Sequence, residues 1–440
     1  MQRKVEVSAL TKGMFVTELD RPWHESPFLL QGFLLESDDD VAKMRDCCEF
    51  VYIDPGRGKH TLSTHSASLP ADEDSGVDHL IMQRDIQHEA WKPDAIVERE
   101  KLVASAKKAH DSLGLPNDFV EYETTAPVEE ELQVAREVHE ELETSVTQAL
   151  KGLSSSQELN VEEVKGSTNH LVKSMIRNPD ASFLLSRLKD KDEYSYSHSI
   201  DASVLAIMFG RHLGLTEAEL NKLALGVLLL DIGKLKLPSA LLDKKGKLLL
   251  PEIRVLRKHA DFSVKMLQET PGIDPEVLSV VAYHHERVDG RGYPHGMKGQ
   301  EIPVYARIAA IVDFYDAYTH LRPYRPAHTS SQAINALYNG SGSQFQPELV
   351  EEFIQCLGVY PTGSLVLLSS GEVGIVIEQN PLRRLRPQVL LVRDSEKNEI
   401  DLPYNCDLEL ELFDKNGKKL FIESSLKPGD YGVSADDFYL

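Results

Sequence analysis

The 440-residue sequence has no apolar run of about 18 residues, so nothing in it is long enough to cross a bilayer as a helix. Cysteine is scarce. The four, at 47, 48, 356 and 406, have no metal-ligand spacing, and an adjacent pair fits a reduced intracellular protein better than a disulfide framework. Positive charge is in deficit, with 48 Lys and Arg against 70 Asp and Glu, a formal net charge of −22. Such a chain repels extended nucleic acid and anionic surfaces over most of its length. A small phosphate ligand stays compatible with it, because a few cations inside one pocket reverse the local field. The basic start MQRKVEV is not followed by an apolar region and a cleavage pattern, so the protein is expected in the cytoplasm.

What the sequence does have is length enough for two or three domains, with 41 % hydrophobic and 27 % charged residues. Short alternating apolar runs over residues 1–57 predict a small β-rich N-terminal domain. Polar sequence with little periodicity, from GRGKHTLSTHSASLPADEDSGVD onward, reads as a linker placed over 58–126. Residues 127–184 read as connecting helices, opening with the acid-rich amphipathic PVEEELQVAREVHEELETSVTQAL. That helix serves either as a connector packed on the next domain or as a dimerising, signal-transmitting element. Residues 185–357 carry about half a dozen helical periods, and Thr216 with Glu219 forms a capping-box pattern before the run ending near Leu229. From 358 to 440 the runs SLVLL, GIVIE and VLLVRD predict a β-rich unit. The fold class is therefore multi-domain and mainly α.

Chemistry concentrates in the helical part, which holds His198, Asp231, His259, His284, His285 and Asp313. Imidazole and carboxylate together suit iron, manganese, zinc or a similar divalent ion, and a shared aspartate can bridge two of them. The stretch HHERVDGRGYP, residues 284–294, ends a helix in two histidines and then turns on Gly290, Gly292 and Pro294. It presents Arg287 and Tyr293 where a phosphorylated base could meet them. In LLLDIGKLKLP, Asp231 and Lys234 lie three apart and face the same side, one suited to metal and the other to phosphate.

HHERVDGRGYP, DIGK, the upstream YSYSHS and the downstream IVDFYDAYTHLRPYR together resemble the HD-GYP domain, a bacterial cyclic di-GMP phosphodiesterase subclass of the HD metallophosphohydrolases. GMFVTELDRPWHESPF is similar to a domain of unassigned function that often precedes it. The resemblance implies an all-helical HD-type bundle around a metal site that cleaves cyclic di-GMP to the linear dinucleotide or to GMP. It implies metal ligation by His198, Asp231, His259, His284, His285 and Asp313. Lys234 falls on the lysine contacting the scissile phosphate, and Arg287, Gly292, Tyr293, Pro294, Arg322 and Arg325 fall on the substrate cleft.

Two positions depart from the family pattern. Tyr194 stands where three-metal members carry glutamate, which implies two metals. Leu230 stands where the histidine of the HD doublet belongs, so one metal position is weakened or vacant; losing even an outer-shell partner costs about 10–100-fold in metal affinity. The expected function is hydrolysis of cyclic di-GMP. The alternative is a catalytically degenerate module that binds a cyclic dinucleotide or docks on a diguanylate cyclase or another signalling protein. Neither reading involves membrane insertion or extended nucleic acid, and a homodimer fits both.

Overall fold

A computed structural model describes the chain except residues 1–2, 21–32, 36–37, 54–92, 155–159, 189–193, 243, 245, 320–327, 381–382, 384, 411, 414–416, 418, 428 and 434–440. The chain divides into two compact units, Met1–Glu100 and Lys101–Leu440. No helix among the described residues is long and apolar enough to cross a membrane.

In the first unit, strands β1 (Arg3–Glu6), β2 (Phe15–Leu19), β3 (Phe33–Leu34) and β4 (Phe50–Ile53) form an antiparallel sheet in the order β1-β4-β2-β3. Helix α1 (Asp38–Cys47) joins them. Strand β4 shows why the alternating pattern is legible: Val51 and Ile53 are buried while Phe50 and Tyr52 stay half-exposed. Val41 and Met44 of α1, three residues apart, join the buried cluster of Val16, Val51 and Ile53.

Helix α2 (Pro93–Leu113) corrects the linker expected over 58–126. Small alanines carry part of its inner face: Ala106, Ala109, His110 and Leu113 are buried, a pattern that charged neighbours hide in the sequence. His110 Nδ1 lies 2.8 Å from the Leu213 carbonyl oxygen and Nε2 2.7 Å from that of Asn117.

In the second unit follow α3 (Val128–Ser154), α4 (Val161–Arg177), α5 (Pro179–Leu188), α6 (Tyr194–His212) and α7 (Glu217–Leu229). The expected capping box is present at α7: Thr216 Oγ1 accepts from the Glu219 amide, and Glu219 accepts from the Thr216 amide. The short α8 (Ser239–Leu242) and α9 (Leu250–Arg257) lead to α10 (His259–Gln268), α11 (Pro275–Tyr283), α12 (Val304–Thr319), α13 (Ser330–Gly340) and α14 (Pro347–Leu357). Strands β5 (Leu365–Leu368), β6 (Val373–Glu378), β7 (Gln388–Arg393), β8 (Glu399–Asp407) and β9 (Ile422–Ser425) form an antiparallel sheet in the order β8-β7-β6-β5-β9. The amphipathic period of α3 is absorbed inside this unit. Val128, Leu132 and Ala135 share one buried cluster with Leu184 and Leu185 of α5 and with Val373, Ile375 and Leu390 of the sheet.

Candidate metal centre

Four helix ends and one helix middle deliver the site. Leucines and valine fill the buried face of α7 up to Leu230, which keeps helical φ and ψ of −58° and −32°. Asp231 leaves the helix at −104° and 4° and opens a 3-10 turn over Ile232–Lys236. Gly233 makes this turn fit: a Cβ there would stand 2.1 Å from the His259 carbonyl oxygen and 2.5 Å from the Ser263 nitrogen. Ser263 Oγ accepts from the Gly233 amide at 2.8 Å and donates to the Leu230 carbonyl at 2.9 Å. The start of α10 is thereby latched to the end of α7, and His259 Nε2 comes to 3.4 Å from Asp231 Oδ1.

Hydrogen bonds fix which ring nitrogens are free to bind a cation. His259 Nδ1 faces the Leu256 carbonyl at 2.7 Å and His284 Nδ1 that of Val281 at 2.8 Å. A carbonyl only accepts, so both Nδ1 atoms carry the proton and both Nε2 atoms carry a lone pair. The Nε2 of His284 is buried with no hydrogen-bond partner among the described residues. His285 Nε2 lies 3.1 Å from His259 Nε2, and His259, His284 and His285 offer ligand atoms within 4.8 Å of one another. Bonds of about 2.1 Å to one ion space adjacent ligands by about 3 Å, so this set fits a divalent metal.

The second group of ligand candidates is held by α6 and α12. His198 Nε2 is 3.1 Å from Asp313 Oδ1, and its Nδ1 is 2.6 Å from Asp316 Oδ2. Asp316 is fully buried and meets Arg187 Nη2 at 3.4 Å through its other oxygen. Asp316 and Arg187 were missed in the sequence, although the three-residue spacing of the two aspartates in DFYD puts both on one helix face.

Burial opposes charge throughout the centre, and neighbours decide the outcome. On His198 the two aspartates outweigh burial and push the imidazole up to about 9. Burial works against ionised Asp231, yet Lys234, His259 and His198 hold its carboxyl well below the usual range. Asp313 is likewise held low against burial, chiefly by His198. Burial, reinforced by His259, lowers His284 to about 4, and burial with His284 lowers His285. Burial thus keeps His284 and His285 neutral and the neighbours keep Asp231 and Asp313 ionised, the states that bind metal, whereas His198, held as an imidazolium between its two aspartates, must give up its Nε2 proton to ligate.

The turn after α11 is tightly built. A Cβ on Gly292 would stand 2.4 Å from backbone atoms of Glu286 and Arg287. Buried Glu286 accepts from the amides of His295 at 2.7 Å and of Gly296 and Met297 at 3.1 Å. Tyr293, followed by cis Pro294, stacks 4.5 Å from the His285 ring, and the Arg257 guanidinium lies 4.7 Å from the Tyr293 centroid. Arg287 is engaged at the end of α11, donating to the carbonyls of His284 and Glu286. Lys234 bonds Asp231 at 2.5 Å and keeps about a third of its side chain exposed. The structure therefore gathers His198, Asp231, Lys234, His259, His284, His285, Tyr293 and Asp313. Arg322 and Arg325 lie outside the described residues.

A model described as an HD domain matches residues 183–349. A domain of unknown function matches residues 2–164, and a KOW domain associated with HD domains matches 365–433. A cyclic di-GMP phosphodiesterase of Pseudomonas aeruginosa is 30 % identical over 405 residues, covering 92 % of this chain and 88 % of that protein. The chain belongs to the HD-GYP family. A cyclic di-GMP phosphodiesterase response regulator of Xanthomonas campestris is 36 % identical over 35 % of this chain and 41 % of its own length. Among solved structures, an HDGYP protein of Bdellovibrio bacteriovorus aligns with a TM-score of 0.42 at 15 % identity, covering 80 % of this chain and 98 % of that one. The HD domain makes divalent metal binding a property of this HD-GYP chain. Its departure at the doublet is plain in the fold: Leu230 is 1 % exposed and offers no lone pair beside Asp231.

Proposed function

We propose that this chain is a metal-dependent phosphodiesterase that hydrolyses cyclic di-GMP in bacterial second-messenger signalling. The observation that carries the reading is the convergence of His259, His284 and His285, with the buried Nε2 of His284 lacking a protein partner. Relatives of this chain are named for the same reaction. In this reading His259, His284, His285 and Asp231 would hold one ion, and His198 with Asp313 would hold a second. Iron and manganese suit such a mixed nitrogen and oxygen set. When bound, the ions supply a nucleophilic hydroxide at neutral pH and positive charge against the phosphate oxygens.

The chain's own residues do the rest. Lys234, partly exposed beside Asp231, neutralises the scissile phosphate. Tyr293 offers an aromatic face at the rim, with Gly292 and Pro294 shaping the turn, and Arg287 braces that turn from behind. Arg322 and Arg325, outside the described residues, are assigned to substrate binding in this reading from their motif alone. Leu230 weakens one of the two metal positions. Its presence also supports a second reading, in which hydrolysis is lost and the module binds a cyclic dinucleotide or docks on a cyclase. The substrate class places the work in the cytoplasm.

Metal content and cyclic di-GMP turnover, measured on the same aerobic and anaerobic preparations, separate the two. The enzyme reading expects at least one ion per chain and a linear product, both lost in Asp231→Ala. Metal below about 0.2 per chain in both preparations, well under one filled site, with no turnover, sinks it.

A further inference from the structure

Between Leu237 and His259 no described residue is buried, although residues 238–258 include nine aliphatic side chains. Helices α8 and α9 contribute nothing to the core. Of the thirteen large hydrophobic residues most exposed among the described residues, four lie here: Leu242, Leu249, Leu250 and Val255. The charge is inverted as well. Residues 238–258 hold six Lys and Arg against two acids, in a chain whose total is −22.

Leu249 adds an independent sign. It occupies the N-cap of α9, where serine, threonine, aspartate or asparagine would satisfy a free amide, and it makes no side-chain cap. Only Glu252, reaching back to the Leu249 amide at 2.6 Å and paired with Lys244, secures the turn. Leu249 and Leu250 are 63 % and 73 % exposed. Folding alone would favour a polar residue at both positions, so the leucine pair conflicts with local stability and points to a surface that covers it.

We propose that residues 238–258 form an interfacial element that seats the chain on an anionic lipid surface. Leu249 and Leu250 enter the headgroup boundary while Lys247, Arg254 and their basic neighbours meet lipid phosphates. Two features favour lipid over an acidic protein. The leucines stand on a segment with no buried residue among those described, and a fluid surface takes up exposed side chains without a complementary shape. The charge is mostly lysine, compact and flexibly held, which suits diffuse phosphate rather than a forked carboxylate pairing. The acidity of the rest of the chain is screened beyond about 8 Å at physiological salt. The element is rooted at the metal centre, since it begins just after Lys234 and ends at His259.

The test is sedimentation of the full chain with phosphatidylcholine vesicles, with and without phosphatidylglycerol, at low and high salt. The chain should sediment with the anionic vesicles at least about tenfold better than with the neutral ones, and salt should weaken this. Leu249→Ser with Leu250→Ser should reduce partition about tenfold or more, and Lys247→Glu about fivefold or more, with no fall in melting temperature. No sedimentation with anionic vesicles, equal sedimentation with neutral ones, or variants that bind like the parent overturns the proposal. Binding to polyglutamate without binding to vesicles also overturns it, and assigns the patch to an acidic protein.

Discussion

His198 is clamped between two carboxylates, and its Nδ1 partner Asp316 is the residue that holds the ring in place for binding through Nε2. Asp316→Asn keeps an oxygen for the Nδ1 proton but removes the charge. It should lower metal affinity about 10–100-fold, read by competition with a chromophoric chelator, and an unchanged affinity would show that Asp313 suffices. Leu230 gives the opposite experiment. Leu230→His adds an imidazole directly before Asp231, so it should raise metal occupancy and turnover. Were the surroundings only apolar core, the unsatisfied ring would instead cost about 1–3 kcal/mol, visible as a lower melting temperature with no gain in metal. The six candidate ligands, which the fold brings close together, drew notice in the sequence because histidine and aspartate stood inside unusual local motifs. Asp316 and Arg187 were not, because a carboxylate that supports a ligand carries no motif of its own.

At the scale of elements, the site depends on how helices end. The break after α7 needs Gly233 and Ser263, and the turn after α11 needs Gly292 and Glu286. Glu286 organises three amides with one carboxylate, so its replacement should loosen the turn before it touches the metal. Glu286→Gln places an amide group against backbone donors and should destabilise the protein by about 1–3 kcal/mol in denaturant titration, with metal content retained and cyclic di-GMP turnover reduced. Equal loss of metal and turnover would mean that the turn also positions His284 and His285. Element types were legible where a period was strong, as in the capped α7 and the alternating β4. Helix α2 escaped because alanine and histidine fill its inner face, and α1 because its acidic opening hides the three-residue spacing of Val41 and Met44.

At the scale of the whole molecule, the metal centre belongs entirely to the unit Lys101–Leu440, whereas Met1–Glu100 has its own small core around Val16, Met44 and Val51. Alternating apolar runs marked strands near the N-terminus and in the tail, but composition could not show that α3 and the tail share one core, since that joining is made by residues far apart in sequence. Two cores with one metal centre have a thermodynamic consequence. A ligand stabilises only the unit whose folded state binds it, by about 2.7 kcal/mol when its free concentration is a hundred times its dissociation constant. Calorimetry of the metal-loaded chain should therefore resolve two transitions, and chelation should lower that of the larger unit by several degrees while leaving the smaller one in place. If chelation moves both transitions together, the units unfold as one and the division at Glu100 has no energetic meaning. If it moves neither in protein shown to be loaded, the ion is bound too weakly to the folded state to stabilise it, which is the outcome expected of a centre that has lost more than the imidazole at position 230.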